Sequence, residues 1–545
     1  MRANRYDAIV IGGGHSGLVA AGYLAGAGLR VAVVESSGRL GGPTATIEFM
    51  PGYRSTIANS PGSLEPKIVR DLELESHGLR FQPVDPTLVH PLADGSLFIG
   101  WRDRARTQRQ IDGFAPGEAQ RYDALFAYLE AFARKLGISV FREPPTLQEL
   151  VRNLTSLDDQ EAFGRIFFGS ARDLFDEFGL AWQTQTIIAP LAVVGGNFTP
   201  STPGTPINLL TRPLSLASLS AGAGDDPRRM PLRGSTGMPV GGMGAIADSL
   251  VASAAGRGVV LRTKVAVDRI LTDDDRVTGV VAADGEEFLA PIVVAAVNPR
   301  LTVVDLMRDD PAWAGFRGKM RRRPMVGKAF KVVLALDGMP RWAAAPADAD
   351  PAALAAAQFR IAPSIDYLEA SHAEMQQGRI SDKPVVWGLC PSLSAPELAP
   401  PGKHVMSLNI GTAPYRLREG EWKVERERLA RTTIAAVAEW MPELPGMISD
   451  WRCLDPEDFE REFGLVEANM THGDLAAWNQ FWMRPLPGLH AYRTPTRGLY
   501  LSGNGTWPGN FISGLAGHNA SHAVLADVRA GVVPLGTGRA VAVGD

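Results

Sequence analysis

The chain has 545 residues, 45% hydrophobic and 21% charged, with a formal net charge of -4. That length can bury a large core in about two to four domain-sized units, the composition is ordinary for a globular protein, and the charge gives no reason to expect a nucleic acid partner. Two cysteines, Cys390 and Cys453, lie far apart with no C-x-x-C, which excludes a dithiol redox centre and a cysteine zinc site; two free thiols in a reducing cytoplasm is the simplest reading, with one disulfide formally open. Met1 to Arg5 passes straight into an apolar run too short for a secretory leader. No stretch of about 20 apolar residues is free of charge, so the expectation is a cytoplasmic protein without a signal peptide or membrane-spanning helix. A peripheral membrane contact stays open.

Tyr6 to Ile11 reads as a buried parallel strand, followed by Gly12-Gly13-Gly14-His15-Ser16-Gly17, a G-x-G-x-x-G turn. Leu18 to Ala27 is a helix of small residues with Gly28 at its C-cap, Leu29 to Val34 a second strand, and Glu35 stands at its end. Gly12 permits the tight turn, Gly14 the approach of a pyrophosphate, and Gly17 the close packing of helix on strand. The helix start, with His15 and Ser16, offers free N–H groups to phosphates. Glu35 lies near the ~20-residue spacing at which a carboxylate accepts from a ribose. Strand, turn, helix, strand and acid in this order predict a dinucleotide site. Ser36-Ser37-Gly38-Arg39-Leu40-Gly41-Gly42-Pro43-Thr44 follows.

Further along, residues 116–136 and 146–180 show helical apolar spacing. Phe163, Phe167, Phe168, Phe175 and Phe178 recur near Trp182; a helical core is the favoured account and a hydrophobic substrate tunnel the alternative. Residues 198–213, rich in Pro, Thr and Gly, predict a loop. Gly241, Gly242 and Gly244 precede a helix over 245–255, then strands and a hairpin over 271–290 with turns at Asp273-Asp274-Asp275 and Asp284-Gly285, then a buried strand over 291–297. The basic run from Arg317 to Arg323 predicts a solvated face, with anionic lipid as the sharper alternative. Residues 328–336 and 402–410 predict strands, and the Ala/Pro-rich 343–357 a surface excursion. His472, in Thr-His-Gly, is the side chain best suited to proton chemistry, against a structural histidine. Arg497 to Gly509 reads as a strand ending in glycines, including Gly503-Asn504, and Gly514-Leu515 opens a last helix. No further G-x-G-x-x-G follows a strand, so a separate NAD(P)H domain is not expected; electrons would leave to oxygen, a quinone, another carrier or the substrate.

Glu35 to Thr46 resembles the second flavin fingerprint, E-x(4–6)-G-G-x-x-x-T, of the large FAD family that includes amine oxidases and phytoene desaturases. The resemblance implies FAD, held non-covalently, with Ser36, Arg39, Leu40, Gly41 and Gly42 added to the cofactor contacts. It also implies that Val267 meets the adenine through its backbone and that Gly503, Asn504, Gly514 and Leu515 face the flavin. Pro43 departs from the arginine common in that family. Glu48-Phe-Met-Pro-Gly-Tyr-Arg54, Asp71 to Leu79, Ser201 to Thr205, Asn469-Met-Thr-His472-Gly473 and Arg484-Pro485 are similar to the pyridine nucleotide-disulfide oxidoreductase domain-containing protein 2 group and its bacterial phytoene dehydrogenase-like relatives. Relatives carry a glycine run where this chain has Asn510-Phe511-Ile512, and a histidine where it has Thr211-Arg212, which places Phe511 and Arg212 in the substrate pocket.

The fold expected is α/β: a split Rossmann-type FAD-binding domain (1–75, 230–310 and 488–545) with an inserted α+β substrate domain (76–229 and 311–487). The function expected is FAD-dependent oxidation or reduction of C–C or C=C bonds in an apolar, isoprenoid-like molecule by hydride transfer at flavin N5, with no metal. An amine or alcohol oxidase on the same scaffold, and a flavin-bound interaction protein, are the alternatives.

Overall fold

The computed structural model describes residues 4–59, 64–219, 237–509 and 511–535; the expected 229/230 boundary and Asn510 lie outside them. Ala8–Ile11 and Val31–Val34 are buried on both faces, as continuous apolar runs in a parallel sheet must be. They form the centre of a five-stranded parallel sheet in the order Val260–Arg262, Val31–Val34, Ala8–Ile11, Val293–Ala295, Leu499–Leu501. Three distant stretches of chain therefore build one sheet. Helix His15–Gly26 lies on one face, between Gly244–Gly256 and Leu515–Arg529. The other face is covered by the antiparallel strands Val267–Asp273, Arg276–Ala282 and Glu287–Leu289, through a core that includes Ile9, Val293, Leu501, Val280 and Phe288.

A second, seven-stranded sheet runs in the order Ile448–Leu454, Phe330–Leu336, His404–Ile410, Val386–Leu389, Gln358–Ile361, Leu88–Pro91, Leu97–Gly100. Only the pairing of Gln358–Ile361 with Leu88–Pro91 is parallel. Alternation along these strands separates two faces. Val332, Leu334, Phe359, Val386 and Leu408 pack with Trp422 and Leu429 of helix Trp422–Ala438. Lys331, Asn409, Trp387 and Arg360 are cross-strand neighbours on the opposite face.

A helical layer closes the molecule. Glu118–Leu136 is one helix, but residues 146–180 break into Leu147–Val151, Leu157–Phe167 and Ala171–Glu177. Each short helix starts at its own capping box: Thr146 with Glu149, Ser156 with Asp159, Ser170 with Asp173. Phe175 is buried, Phe163 stacks on Phe167 at 4.1 Å between centroids, and Phe168 is exposed. None of the five phenylalanines borders the central cavity, so they are helical core and surface, not a tunnel.

Two expectations are corrected. Residues 198–213 are not all loop: a 3-10 turn, Thr205–Leu210, leads into helix Thr211–Ala217. Pro213 sits in its first turn, where a missing N–H breaks no intrahelical bond. Residues 343–357 are not a simple surface excursion, since Ala349, Leu354 and Ala357 join the core of the seven-stranded sheet and Asp350 caps helix Pro351–Ala356. The basic run is divided: Arg317 donates to the Met307 and Asp310 carbonyls and Arg323 lies over Trp478, while Arg321 and Arg322 are exposed. Cys390 and Cys453 are free, buried thiols, pushed up by burial to about 12 and about 11. Among the described residues no helix is long and apolar enough to cross a membrane, and no His/Cys/Asp/Glu cluster could hold a metal ion.

Candidate active site

A cavity of about 830 Å³ lies between the glycine loops of the parallel sheet and the polar face of the seven-stranded sheet. That is toward the upper end of the ~300–1,000 Å³ usual for small-molecule sites. Its first end is built from the G-x-G-x-x-G turn. Gly12 has φ +99°, and a Cβ there would meet Val297 Cγ1 at 3.0 Å. A Cβ on Gly17 would lie 2.0 Å from the Gly12 carbonyl oxygen, so this glycine sets how closely helix and strand approach. Gly14, the N-cap of helix His15–Gly26, has no side-chain cap and open space where a Cβ would be. The helix start therefore presents uncapped N–H groups to the cavity, the arrangement that binds phosphate.

Glu35 Oε2 accepts from the Gly13 N–H and its Oε1 from the Ser37 N–H, both at 2.8 Å, while the residue borders the cavity. Its carboxylate braces the glycine turn and keeps lone pairs for a ligand. The second glycine pair is laid against the first: the Gly41 N–H donates to the Gly13 carbonyl at 2.7 Å, and Gly41 has φ +100°. Pro43 and Thr44 border the cavity, but Thr46 does not; its Oγ1 occupies the space beside Gly244, 1.8 Å from where a Cβ would stand. The threonine of the fingerprint thus seats helix Gly244–Gly256.

Of the residues singled out in the sequence, Gly12, Gly14, His15, Ser16, Glu35, Ser36, Arg39, Gly42, Arg212, His472, Gly503, Asn504 and Phe511 border this one cavity. Gly17, Leu40, Gly41, Val267, Gly514 and Leu515 do not. Leu40 packs beneath Gly13, Gly514 caps the last helix at φ +77°, and Leu515 is buried in the core. Val267 is held in antiparallel pairing with Ala282; Val265, two residues earlier, donates to the Glu35 carbonyl at 2.9 Å.

The segment 469–474 forms the wall opposite the glycine turn. Asn469 Oδ1 accepts from the Thr471 N–H, the Thr471 hydroxyl and the Gly473 N–H. Arg484, fully buried, gathers the carbonyls of Thr471, Gly473, Asp474, Asn504 and Thr506, pinning this wall to the Gly503 loop. His472 is held at φ +54° with its Nδ1 buried and without a partner among the described residues. Burial, then the charges of Arg484 and His15, pull its pKa down to about 3. Burial brings His15 down to about 4. Both imidazoles are neutral at pH 7, so His472 can exchange a hydrogen bond but does not carry a proton as a cation.

Sequence reasoning missed several wall residues. Lys328 borders the cavity, with burial lowering its ammonium to about 8 against the opposing charge of Asp474. Arg102, Arg360 and Trp387 border its far part. The signal for Arg360 was period-2 alternation: within Gln358-Phe-Arg-Ile361, Phe359 and Ile361 face the core, so residue 360 must face the other way.

An uncapped helix start, an open glycine, a carboxylate at the second strand's end and an unpartnered buried nitrogen across the cavity fit FAD. A split parallel sheet with these loops, walled by a second mixed sheet, defines an FAD-dependent oxidoreductase. Residues 15–514 match the flavin containing amine oxidoreductases, and the chain belongs to that family. It is 30% identical over 563 residues to mouse pyridine nucleotide-disulfide oxidoreductase domain-containing protein 2, covering 96% of this chain and 94% of that one. It is 26% identical over 528 residues to a lycopene-forming phytoene desaturase of Paracoccus sp., covering 94% and 95%. The fold is shared with cyclohexylamine oxidase from Brevibacterium oxydans, at TM-score 0.54 and 16% identity over 96% and 99% of the two chains.

Proposed function

We propose that this oxidoreductase adds or removes hydrogen at a carbon–carbon bond of a hydrophobic, isoprenoid-like molecule. The observation that carries the reading is the continuity of the cavity: the same space bordered by Gly14 and Glu35 is bordered by Pro190, Leu191, Val193, Phe198, Leu368 and Leu389. A phytoene desaturase among the relatives supports it. Bound FAD supplies the two-electron acceptor or donor, so no strong protein acid or base is required. The chain's own task is to hold the substrate and exclude water. Gly12, Gly14 and Ser16 hold the cofactor's phosphates and Glu35 its ribose. His472 stays neutral and offers one hydrogen bond. Lys328 supplies a group that changes charge near pH 8. Arg102, Arg212, Lys328 and Arg360 on the wall disfavour a protonated amine as substrate.

Anaerobic bleaching of the flavin against a panel of polyenes, other apolar molecules and amines tests this. Bleaching by an apolar molecule is the expected result. Bleaching by amines alone, with hydrogen peroxide released in air, would replace this reading with an amine oxidase.

A further inference from the structure

Arg360 is 5% exposed, in the middle of strand Gln358–Ile361, on the face of the sheet that borders the cavity. Its guanidinium lies over the ring of its cross-strand neighbour Trp387, 4.3 Å from the centroid. Among the described residues its Nε and Nη1 have no hydrogen-bond partner and no carboxylate pairs with it. Burial alone pulls its pKa down to about 9, with no acidic group opposing, so it stays charged at neutral pH. Its neighbour His90 is neutral there, held at about 3 by burial and by Arg360 itself.

Arg484 shows how this fold treats a buried guanidinium that serves structure: every N–H arm is turned onto a backbone carbonyl. Arg360 is equally withdrawn from water and has no such set. A buried charge left unpaired is strongly unfavourable, and the place where this one can be compensated is the cavity. Trp387 shields one side of the guanidinium and offers it no hydrogen-bond acceptor. Its Nη2, which makes no hydrogen bond among the described residues and is not closed off as Nε and Nη1 are, is the arm free to donate to a carboxylate oxygen in the cavity. Arg102, whose Nη1 is also buried without a partner, adds positive charge to the same wall.

We propose that Arg360 binds a carboxylate on the substrate, which is therefore an amphipathic acid: an apolar body with a carboxylate at the end held by the seven-stranded sheet. This rests on reading the cavity as the substrate site of a flavin enzyme.

The test is calorimetric titration of the FAD-loaded protein with decanoate, decanol and decyl phosphate, below their aggregation concentrations. Decanoate is expected to bind at least tenfold more tightly than decanol. Arg360→Met is expected to lose at least tenfold in decanoate affinity with decanol unchanged, and Arg360→Lys to keep part of the preference. Equal binding of decanoate and decanol to the wild type overturns the proposal, and this arm needs no variant to fold. Unchanged decanoate affinity in Arg360→Met overturns it too, as does a tenfold preference for decyl phosphate over decanoate. Flavin absorbance of the same samples separates the two levels: full flavin content with no carboxylate preference defeats this inference alone, whereas protein that takes up no FAD defeats the flavin reading beneath it.

Discussion

Glu35 braces the turn before it and borders the cavity, and the Gly13 and Ser37 N–H groups occupy only part of its carboxylate. Glu35→Ala loses charge-assisted hydrogen bonds of about 1.5–3 kcal/mol. FAD affinity should fall roughly tenfold to hundredfold on reconstitution of the apoprotein; unchanged affinity would mean that the carboxylate serves the turn alone. Phe511 stands at φ +49° with its ring near Gly195. Glycine there removes a left-handed strain of about 1–2 kcal/mol as it removes a half-buried ring, so Phe511→Gly should change stability little and speed flavin reduction by longer polyenes. An identical length preference in wild type and variant counts against a pocket role. Lys331 is fully buried, with its Nζ donating to Ser407 Oγ and Asn409 Oδ1 at 2.7 and 2.8 Å, yet burial lowers it to about 7. Its folded pKa lies below its unfolded value, so between about pH 7 and 10 the unfolded chain binds more protons, and stability rises with pH. Relative to Lys331→Met, the wild type should gain on the order of 2 kcal/mol between pH 7 and pH 9 in urea unfolding; a difference flat with pH would show that the ammonium is solvated.

At the scale of elements, the cofactor side depends on helices brought into backbone contact. A Cβ on Gly517 would lie 2.3 Å from the Ser16 carbonyl oxygen and 2.9 Å from Val19 Cβ. Alanine is the better helix former by about 1 kcal/mol, but overpacking against a neighbouring backbone costs about 1–3 kcal/mol. Gly517→Ala should therefore lower the urea midpoint and loosen FAD, because it displaces the helix that starts at His15; a raised midpoint would mean that the helices separate freely. This level was the most legible in the sequence. Gly12 to Glu35 announces strand, turn, helix and strand because each step has its own residue chemistry, and the three capping boxes after Thr146 were equally open to reading. What the sequence could not convey was which side of the chain meets the cavity. Val267 and Leu515 do not border the cavity, and Lys328, Arg102 and Arg360 reach the wall through a second sheet in which Gln358–Ile361 pairs with the far earlier Leu88–Pro91 and one face turns toward the glycine loops.

At the scale of the whole molecule, neither cysteine borders the cavity, so no cysteinyl link to the flavin is available. The purified protein should be yellow, and acid precipitation should release all of its FAD into the supernatant; flavin left in the pellet would show a covalent bond to another side chain. The parallel sheet sets a further condition, on synthesis. Its central strands are complete at residue 34, but its far edge arrives at Leu499–Leu501 and the helix packed on His15–Gly26 begins at Leu515. At about 5–20 residues per second, a ribosome takes roughly half a minute to a minute and a half to make the intervening chain. Through that interval the parallel sheet lacks its edge strand, while the second sheet, whose last strand ends at Leu454, is already fully synthesised and free to assemble before it.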